Sequence, residues 1–282
     1  MEQKRPGTGT AGWIAAARAR ESTRPDRLFD DPWADLLAGE SGRAQLRASE
    51  RVSGENRFLP VRTRFFDDVI ADASSWADQL VLLGAGLDTR AYRLGLPARM
   101  SVYELDRPDL LAAKQSALDL VGACAVCVRH VVGVDLEADW SGALLGEGFD
   151  PRLPTTWVAE GLVYYLGPLA VERLLVRAAG LSAARSLFAL DVFGTGLLRL
   201  PHMHASIRQR IASGRDAPFC TDDPVGLVRA CGWPDVAFTE PGRPDATYGR
   251  LPPVPEDWAG GTDPEMRTYL VVAGTAEADG ST

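Results

Sequence analysis

Lysine is almost missing from this chain. It stands only at Lys4 and Lys114, so arginine carries nearly all of the positive charge. That bias has no functional reading, but the balance does. The net charge is −8, and without a basic excess the chain does not read as a partner for duplex nucleic acid or an anionic membrane surface. Long apolar runs are missing as well. No stretch reaches the roughly eighteen uninterrupted apolar residues of a membrane span. The opening MEQKRPGTGTAG has no apolar signal core behind its basic residues, so a cytoplasmic location is expected. Cysteine is scarce: Cys124, Cys127, Cys220 and Cys231 make no disulfide framework in 282 residues. Cys124 and Cys127 form a C-x-x-C, but no second close pair completes a zinc site, and neither metal nor redox chemistry is expected there. Internal repeats are absent.

What is present centres on residues 79–106, QLVLLGAGLDTRAYRLGLPARMSVYELD. Leu80 to Leu83 is an apolar run with the length of a strand buried on both faces. It ends in Gly84-Ala85-Gly86, where two glycines let the backbone turn sharply and leave no side chain between it and a ligand. Val102-Tyr103 reads as a second strand, ending in Glu104-Leu105-Asp106. A glycine turn after one strand and a carboxylate after the next, about 20 residues on, is how open α/β sheets hold an adenosine ribose.

Two cofactor classes fit that pattern. A dinucleotide requires Gly-x-Gly-x-x-Gly/Ala, so that a helix N-terminus can press on the pyrophosphate. Here the third position is Thr89, preceded by Asp88, whose carboxylate would repel a pyrophosphate. S-adenosyl-L-methionine has no phosphate. It presents a sulfonium and an amino-acid end, which a mixed acidic and basic surround suits better. A glycine pair alone is also what an ordinary tight turn shows; the preceding strand and the spaced Asp106 raise it to a nucleoside site.

Residues 1 to about 12 are expected to lack regular structure. The alanine-rich WIAAARAR predicts a helix over 13–20, Asp30-Asp31-Pro32-Trp33 starts another with Pro32 near its first turn, and PVRTRFFDDVIADA predicts a third over 60–73. The chain therefore divides into a helical N-terminal cap (1–75) and an α/β core (76–282). Within the core, 126–134 predicts a third strand ending in Asp135-Leu136, and 154–159 a fourth ending in Glu160. A strand over 186–193 carries Asp191. Strand ends on one edge of a parallel sheet converge on one crevice, so Glu104, Asp106, Asp135 and Glu160 are candidates for one site. Asp135 alone reads equally as a helix cap, and Arg62 with Arg64 equally as a solvated pair beside an aromatic core face. Residues 194–223 read as an irregular lid or substrate segment at the ligand edge, holding Arg199, His202, His204 and Arg208. A helix over 224–231, a strand near 236–239, a Pro/Gly-rich crossing over 241–264 and a last strand over 268–273 complete the sheet, and the tail after Gly274 is expected to be loose.

LLGAGLDTRAYRL, VYELDRP, GVDL followed by Asp139-Trp140, and AEGLVYYL, in that order, resemble the leucine carboxyl methyltransferase-like family of S-adenosyl-L-methionine-dependent O-methyltransferases. RTRFFDD and LFDDPWADLL upstream fit the same pattern. The resemblance covers roughly residues 13–195. It is nearest to the bacterial branch, which includes polyketide carboxyl O-methyltransferases such as that of tetracenomycin biosynthesis. It implies a class I, Rossmann-like methyltransferase sheet with the helical cap and lid. It also implies that Arg62 pairs with the cofactor carboxylate, assisted by Arg18 or, less well placed, Arg20. Gly84, Ala85 and Gly86 would line the methionine portion. Asp106, with Glu104 as its rival, would take the ribose, Asp135 and Leu136 the adenine, and Glu160 the amino group or the wall near the sulfonium.

Methyl transfer asks the protein chiefly to align an oxygen with the S–CH3 bond. A carboxylate acceptor is already ionised and needs only a cation or donors, from Arg199, Arg208, Tyr164 or Tyr165. A phenol would benefit from a base, His202 or His204. The expected reaction is O-methylation of a small aromatic or polyketide-like carboxylate or phenol. Methylation of a protein C-terminal carboxylate, a nicotinamide oxidoreductase and a non-catalytic cofactor-binding protein are the competing readings.

Overall fold

The computed structural model describes residues 9–253 and 267–275. Three helices come first: α1 (Gly9–Ser22), α2 (Ala34–Ser53) and α3 (Phe58–Ala73). They are followed by β1 (Gln79–Leu83), α4 (Arg90–Arg93), β2 (Ser101–Asp106), α5 (Pro108–Asp119), β3 (Val128–Gly133), α6 (Ser141–Gly146), β4 (Thr155–Ala159), α7 (Pro168–Gly180) and β5 (Leu187–Phe193). The chain ends with α8 (His204–Ala212), α9 (Pro224–Ala230), β6 (Asp235–Thr239) and β7 (Thr268–Gly274).

Seven strands form one sheet in the order β3-β2-β1-β4-β5-β7-β6. The first five are parallel, and β7 runs antiparallel between β5 and β6. Every residue of β1 and β4 is buried, as continuous apolar runs require when helices cover both sheet faces. On one face, α7 opens with Pro168 in its first turn and turns Ala170, Val171, Leu174, Leu175 and Ala178 inward, the spacing of a single helical stripe. On the other face Phe66 and Ile70 of α3 pack with Leu80, Leu82 and Val102. The α1 helix crosses α2 where Gly12 meets Gly42, and Ala15, Ala16 and Ala17 join Leu87 and Leu110 in a third cluster. That crossing sets α1 above the C-terminal edge of the sheet. The order of winding reverses between the parallel neighbours β1 and β4, the switch point beside which open α/β sheets bind ligands.

Several expectations shift in detail. The first helix begins at Gly9, four residues before Trp13, and residues 1–8 lie outside the described residues. The second begins at Ala34, after Pro32, with the Ala34 amide on the Asp31 carbonyl. The segment 194–223 is not irregular throughout: it holds α8 between two 3-10 turns (195–199 and 201–203) and an extended return. Positions 254–264 of the expected crossing and the tail beyond Thr275 lie outside the described residues.

Candidate active site

The chain leaves β1 at Leu83 and turns at Gly84 with φ 67°; a Cβ there would lie 2.8 Å from the Leu162 side chain. The positive φ favours glycine, and any side chain there would have to displace the Leu162 methyl. The Gly86 amide donates to Asp106 Oδ2 at 2.7 Å, and the Arg107 amide to Oδ1 at 2.7 Å. The last residue of β2 thus clamps the turn that follows β1. Burial raises the Asp106 pKa, and the Arg107 and Gly86 amides oppose it. Asp135 follows β3, exposed, and accepts the Glu137 amide at 2.9 Å in a local turn. Leu136 beside it is buried.

Beneath the turn lies a dense ion network. Arg62 Nε donates to Glu160 Oε1 at 3.1 Å and Nη1 to Asp191 Oδ2 at 3.2 Å. Gly161, φ 63°, lets that guanidinium approach: a Cβ would lie 2.9 Å from Nη1. Arg90 reaches three acids at once, with Nε on Asp67 (2.7 Å), Nη2 on Glu160 (2.6 Å) and Nη1 on Asp88. Arg18 donates to Asp31 at 2.9 Å and to the Leu87 carbonyl at 2.5 Å, and Arg93 holds Asp67 through two nitrogens. Burial pushes the Asp88 carboxyl up, but Arg90, Lys114, Arg18 and Arg93 outweigh it and hold the pKa at about 2. Glu160 is likewise pushed up by burial and held lower by Arg90 and Arg62. Asp191, with burial dominant and Arg62 opposing, is raised.

These groups line or underlie a cavity of about 730 Å³ over the ends of β1, β2 and β4. Aromatic and α8 residues complete the lining. A 3-10 turn after β4 (163–165) supplies Tyr164 and Tyr165, packed edge to face at 5.1 Å, with Tyr164 also against Phe193. Desolvation of the hydroxyl end raises both phenols, although Tyr165 as a whole is 37% exposed. From the α8 segment come Arg210, Arg215 and Pro218. Arg210 is buried and spent, donating to the carbonyls of Asp216 (2.5 Å) and Tyr165 (2.7 Å). Arg215 is exposed and donates to Ser213 Oγ at 3.3 Å.

The structure thus brings Arg18, Arg62, Gly84, Ala85, Gly86, Asp106, Asp135, Leu136, Glu160, Tyr164 and Tyr165 to one cavity. Five expected residues fall elsewhere. Glu104 lies two residues back from the strand end, fully buried under α5, with Lys114 at 2.8 Å and Arg129 at 2.7 Å on its carboxylate; it is no rival for the ribose. Arg20 pairs with Glu50. Arg199 and His204 are exposed and away from the cavity, because the turns after β5 and the start of α8 carry them outward. Arg208 is exposed too, and the side chain of His202 lies outside what is described. Two residues were missed. Arg90 stood in plain view in the glycine-turn motif, next to Asp88. Arg215 carries no sequence signal, and only the course of the chain after α8 places it. The expected C-x-x-C is split between an exposed Cys124 and a Cys127 whose thiol burial pushes up to about 11.

A family model described as leucine carboxyl methyltransferase matches residues 11–179, which take in the glycine turn, Asp106, Asp135 and Glu160. The chain belongs to the leucine carboxyl methyltransferase family. Its relatives include a protein of Saccharopolyspora erythraea, 44% identical over 64% of this chain and 66% of its own length, with the provisional name of S-adenosyl-L-methionine-dependent methyltransferase. A Frankia alni protein with the same provisional name is 39% identical over 86% of this chain and 87% of its own. The matched region spans 60–66% of the length of the first three curated relatives. Among solved structures, a provisionally named methyltransferase from Thermobifida fusca superposes with TM-score 0.60 at 16% identity, over 98% of this chain and 100% of that one. A duf574 family protein from Streptomyces avermitilis gives TM-score 0.60 at 13% identity, over 95% and 97%. The fold is that of class I S-adenosyl-L-methionine-dependent methyltransferases.

The relatives of this family member are named for S-adenosyl-L-methionine, and the residues present fit that cofactor. The turn Gly84-Ala85-Gly86 lines the cavity. The network under it sets five carboxylates (Asp31, Asp67, Asp88, Glu160, Asp191) against four arginines (Arg18, Arg62, Arg90, Arg93). The surplus is one negative charge, opposite to the single net positive charge of sulfonium, ammonium and carboxylate together.

Proposed function

We propose that this protein transfers a methyl group from S-adenosyl-L-methionine to a carboxylate oxygen of a small, aromatic or polyketide-like acid. The observation that carries this reading is the polarity of the cavity. Five acids (Asp88, Asp106, Asp135, Glu137 and Glu160) reach its lining from the loops after β1, β2, β3 and β4, each loop also carrying or facing arginines, whereas the stretch from α8 onward contributes Arg210 and Arg215 and no acid.

In this reading Asp106 accepts from the ribose hydroxyls, Asp135 from the adenine amino group, and Leu136 covers the ring. Gly84, Ala85 and Gly86 line the methionine chain, and Glu160 faces its ammonium. Arg18 and Arg62 face its carboxylate. Arg18 is held by one close acid and Arg62 by two, so Arg18 has more uncompensated charge to offer. Residues 1–75 act as the cap, and 194–223 cover the acceptor.

When bound, the cofactor supplies an electrophilic methyl on a sulfonium leaving group. The protein's part is alignment and exclusion of water. An acceptor carboxylate is ionised at neutral pH, so no base is required. Arg215 holds it, as a guanidinium suits two carboxylate oxygens. The Tyr164 and Tyr165 phenols, already protonated at neutral pH and shifted further up, serve as donors rather than bases. No histidine side chain among the described residues lines the cavity.

The test is transfer of labelled methyl to a panel of aromatic acids, the matching phenols and a leucine-terminated peptide. Carboxyl methyl esters release the label as volatile methanol in base; phenol ethers do not. Base-labile label on the small acids is the expected result. Label on the peptide alone would favour the protein C-terminal reading that the family's description suggests, and base-stable label would sink carboxyl transfer.

A further inference from the structure

We infer that Arg90 is a positioning residue whose guanidinium draws the carboxylates of Asp88 and Glu160 together, as the paired acceptor of the cofactor's ammonium. The inference rests on the S-adenosyl-L-methionine reading above and adds a residue that the family resemblance did not assign.

Arg90 is 2% exposed and starts α4 immediately after the glycine turn. Its donors go to four places on three elements. Nη1 and the backbone amide serve Asp88 in the turn; Nη2 serves Glu160 after β4 and the Thr63 carbonyl on α3; Nε serves Asp67 on α3. A lysine has no fork to span such a set. Asp88 and Glu160 both line the cavity, and they act on each other as like charges. Two neighbouring carboxylates without a shared cation hold one proton between them. The other charges facing the pair are Arg62 and Asp191 on the Glu160 side, and Arg18, Arg93 and Lys114 on the Asp88 side. None of these bridges the two. Arg90 alone among the described residues bonds both acids, so it fixes their spacing and their charge together.

The experiment is calorimetric titration of S-adenosylhomocysteine and of 5′-methylthioadenosine, which shares the nucleoside and thioether but lacks the amino-acid end. Wild type, Arg90→Met and Arg90→Lys are compared at about pH 6 and about pH 8. Arg90→Met is expected to weaken S-adenosylhomocysteine about tenfold or more, and further at the lower pH, while methylthioadenosine changes by no more than about twofold. Arg90→Lys keeps a charge but serves one acid at a time, and should show the same split at smaller size. If Arg90→Met does not fold, Arg90→Lys alone carries the comparison. Equal losses for both nucleosides would mean a merely structural role and overturn the inference, as would wild-type affinity for both. A wild-type protein that bound neither nucleoside would overturn the cofactor reading itself.

Discussion

Asp106 and Gly86 stand 20 residues apart in sequence, and one hydrogen bond of 2.7 Å from amide to carboxylate joins them. The carboxylate therefore has two duties, fixing the glycine turn and presenting its remaining lone pairs to a ligand. Asp106→Ala removes both and is expected to weaken S-adenosylhomocysteine by about 30-fold or more, since hydrogen bonds to a charged group contribute about 1.5–3 kcal/mol each. Asp106→Asn keeps an oxygen for the Gly86 amide but offers the ribose one acceptor instead of two, and should lose less. Calorimetry on the two variants checks the order. Equal affinity for wild type and Asp106→Ala would remove Asp106 from the site.

Glu104, two residues earlier on the same strand, should behave in the opposite way. Its carboxylate and the Lys114 ammonium are both fully buried, 2.8 Å apart. Removing one partner of a buried pair leaves an uncompensated charge, at a cost of about 3–5 kcal/mol. Glu104→Gln is expected to lower the denaturation midpoint strongly while the folded protein binds S-adenosylhomocysteine within about twofold of wild type. A variant of normal stability and lost binding would reverse the assignment of these two acids.

The contrast between Glu104 and Asp106 shows how far the sequence could be read. The strands and the glycine turn were legible because apolar runs flanked by glycine have few other solutions, and the acids after β2, β3 and β4 followed from them. Glu104 was misread because two positions along a strand share a face. Depth separates them: the helix above places Lys114 over Glu104 and leaves Asp106 at the edge. The α8 segment was less legible. Arg215 and Arg199 are equally plausible in a segment with little apolar periodicity, and only the return of the chain after α8 tells them apart. Arg90 is illegible for another reason: its contacts lie on α3 and after β4, far from it in sequence, and nothing in the local motif shows that reach.

The pH dependence of stability should carry the mark of Asp88. Its folded pKa is about 2, below the ordinary 3.8, and its side chain is 15% exposed. A depressed carboxyl stabilises the fold at pH above its unfolded pKa, and that stabilisation is lost as pH falls from there through the folded value. At about 1.4 kcal/mol per unit the contribution is on the order of 2 kcal/mol. Thermal unfolding of Asp88→Asn against wild type should therefore show a stability gap at neutral pH that narrows between about pH 4 and about pH 2. A gap constant across that window would mean the two proteins differ for reasons other than this carboxyl.

Arg215 is exposed and lines the cavity, whereas Arg199 and His204, on the same segment, are exposed and do not line it. If the acceptor is held as a carboxylate, Arg215→Ala removes a charge-assisted contact made to ground and transition states alike. It should raise KM for an aromatic acid about 10- to 100-fold with kcat nearly unchanged. Arg215→Lys should recover part of that loss through its charge but not its paired donors. Arg199→Ala and His204→Ala should leave both constants within about twofold of wild type. Because a carboxylate needs no base, kcat should also stay flat across the histidine range, about pH 6 to 8, in all four variants. A rate that rose with pH in wild type and went flat in His204→Ala would show that a phenol, activated by a base, is the true acceptor.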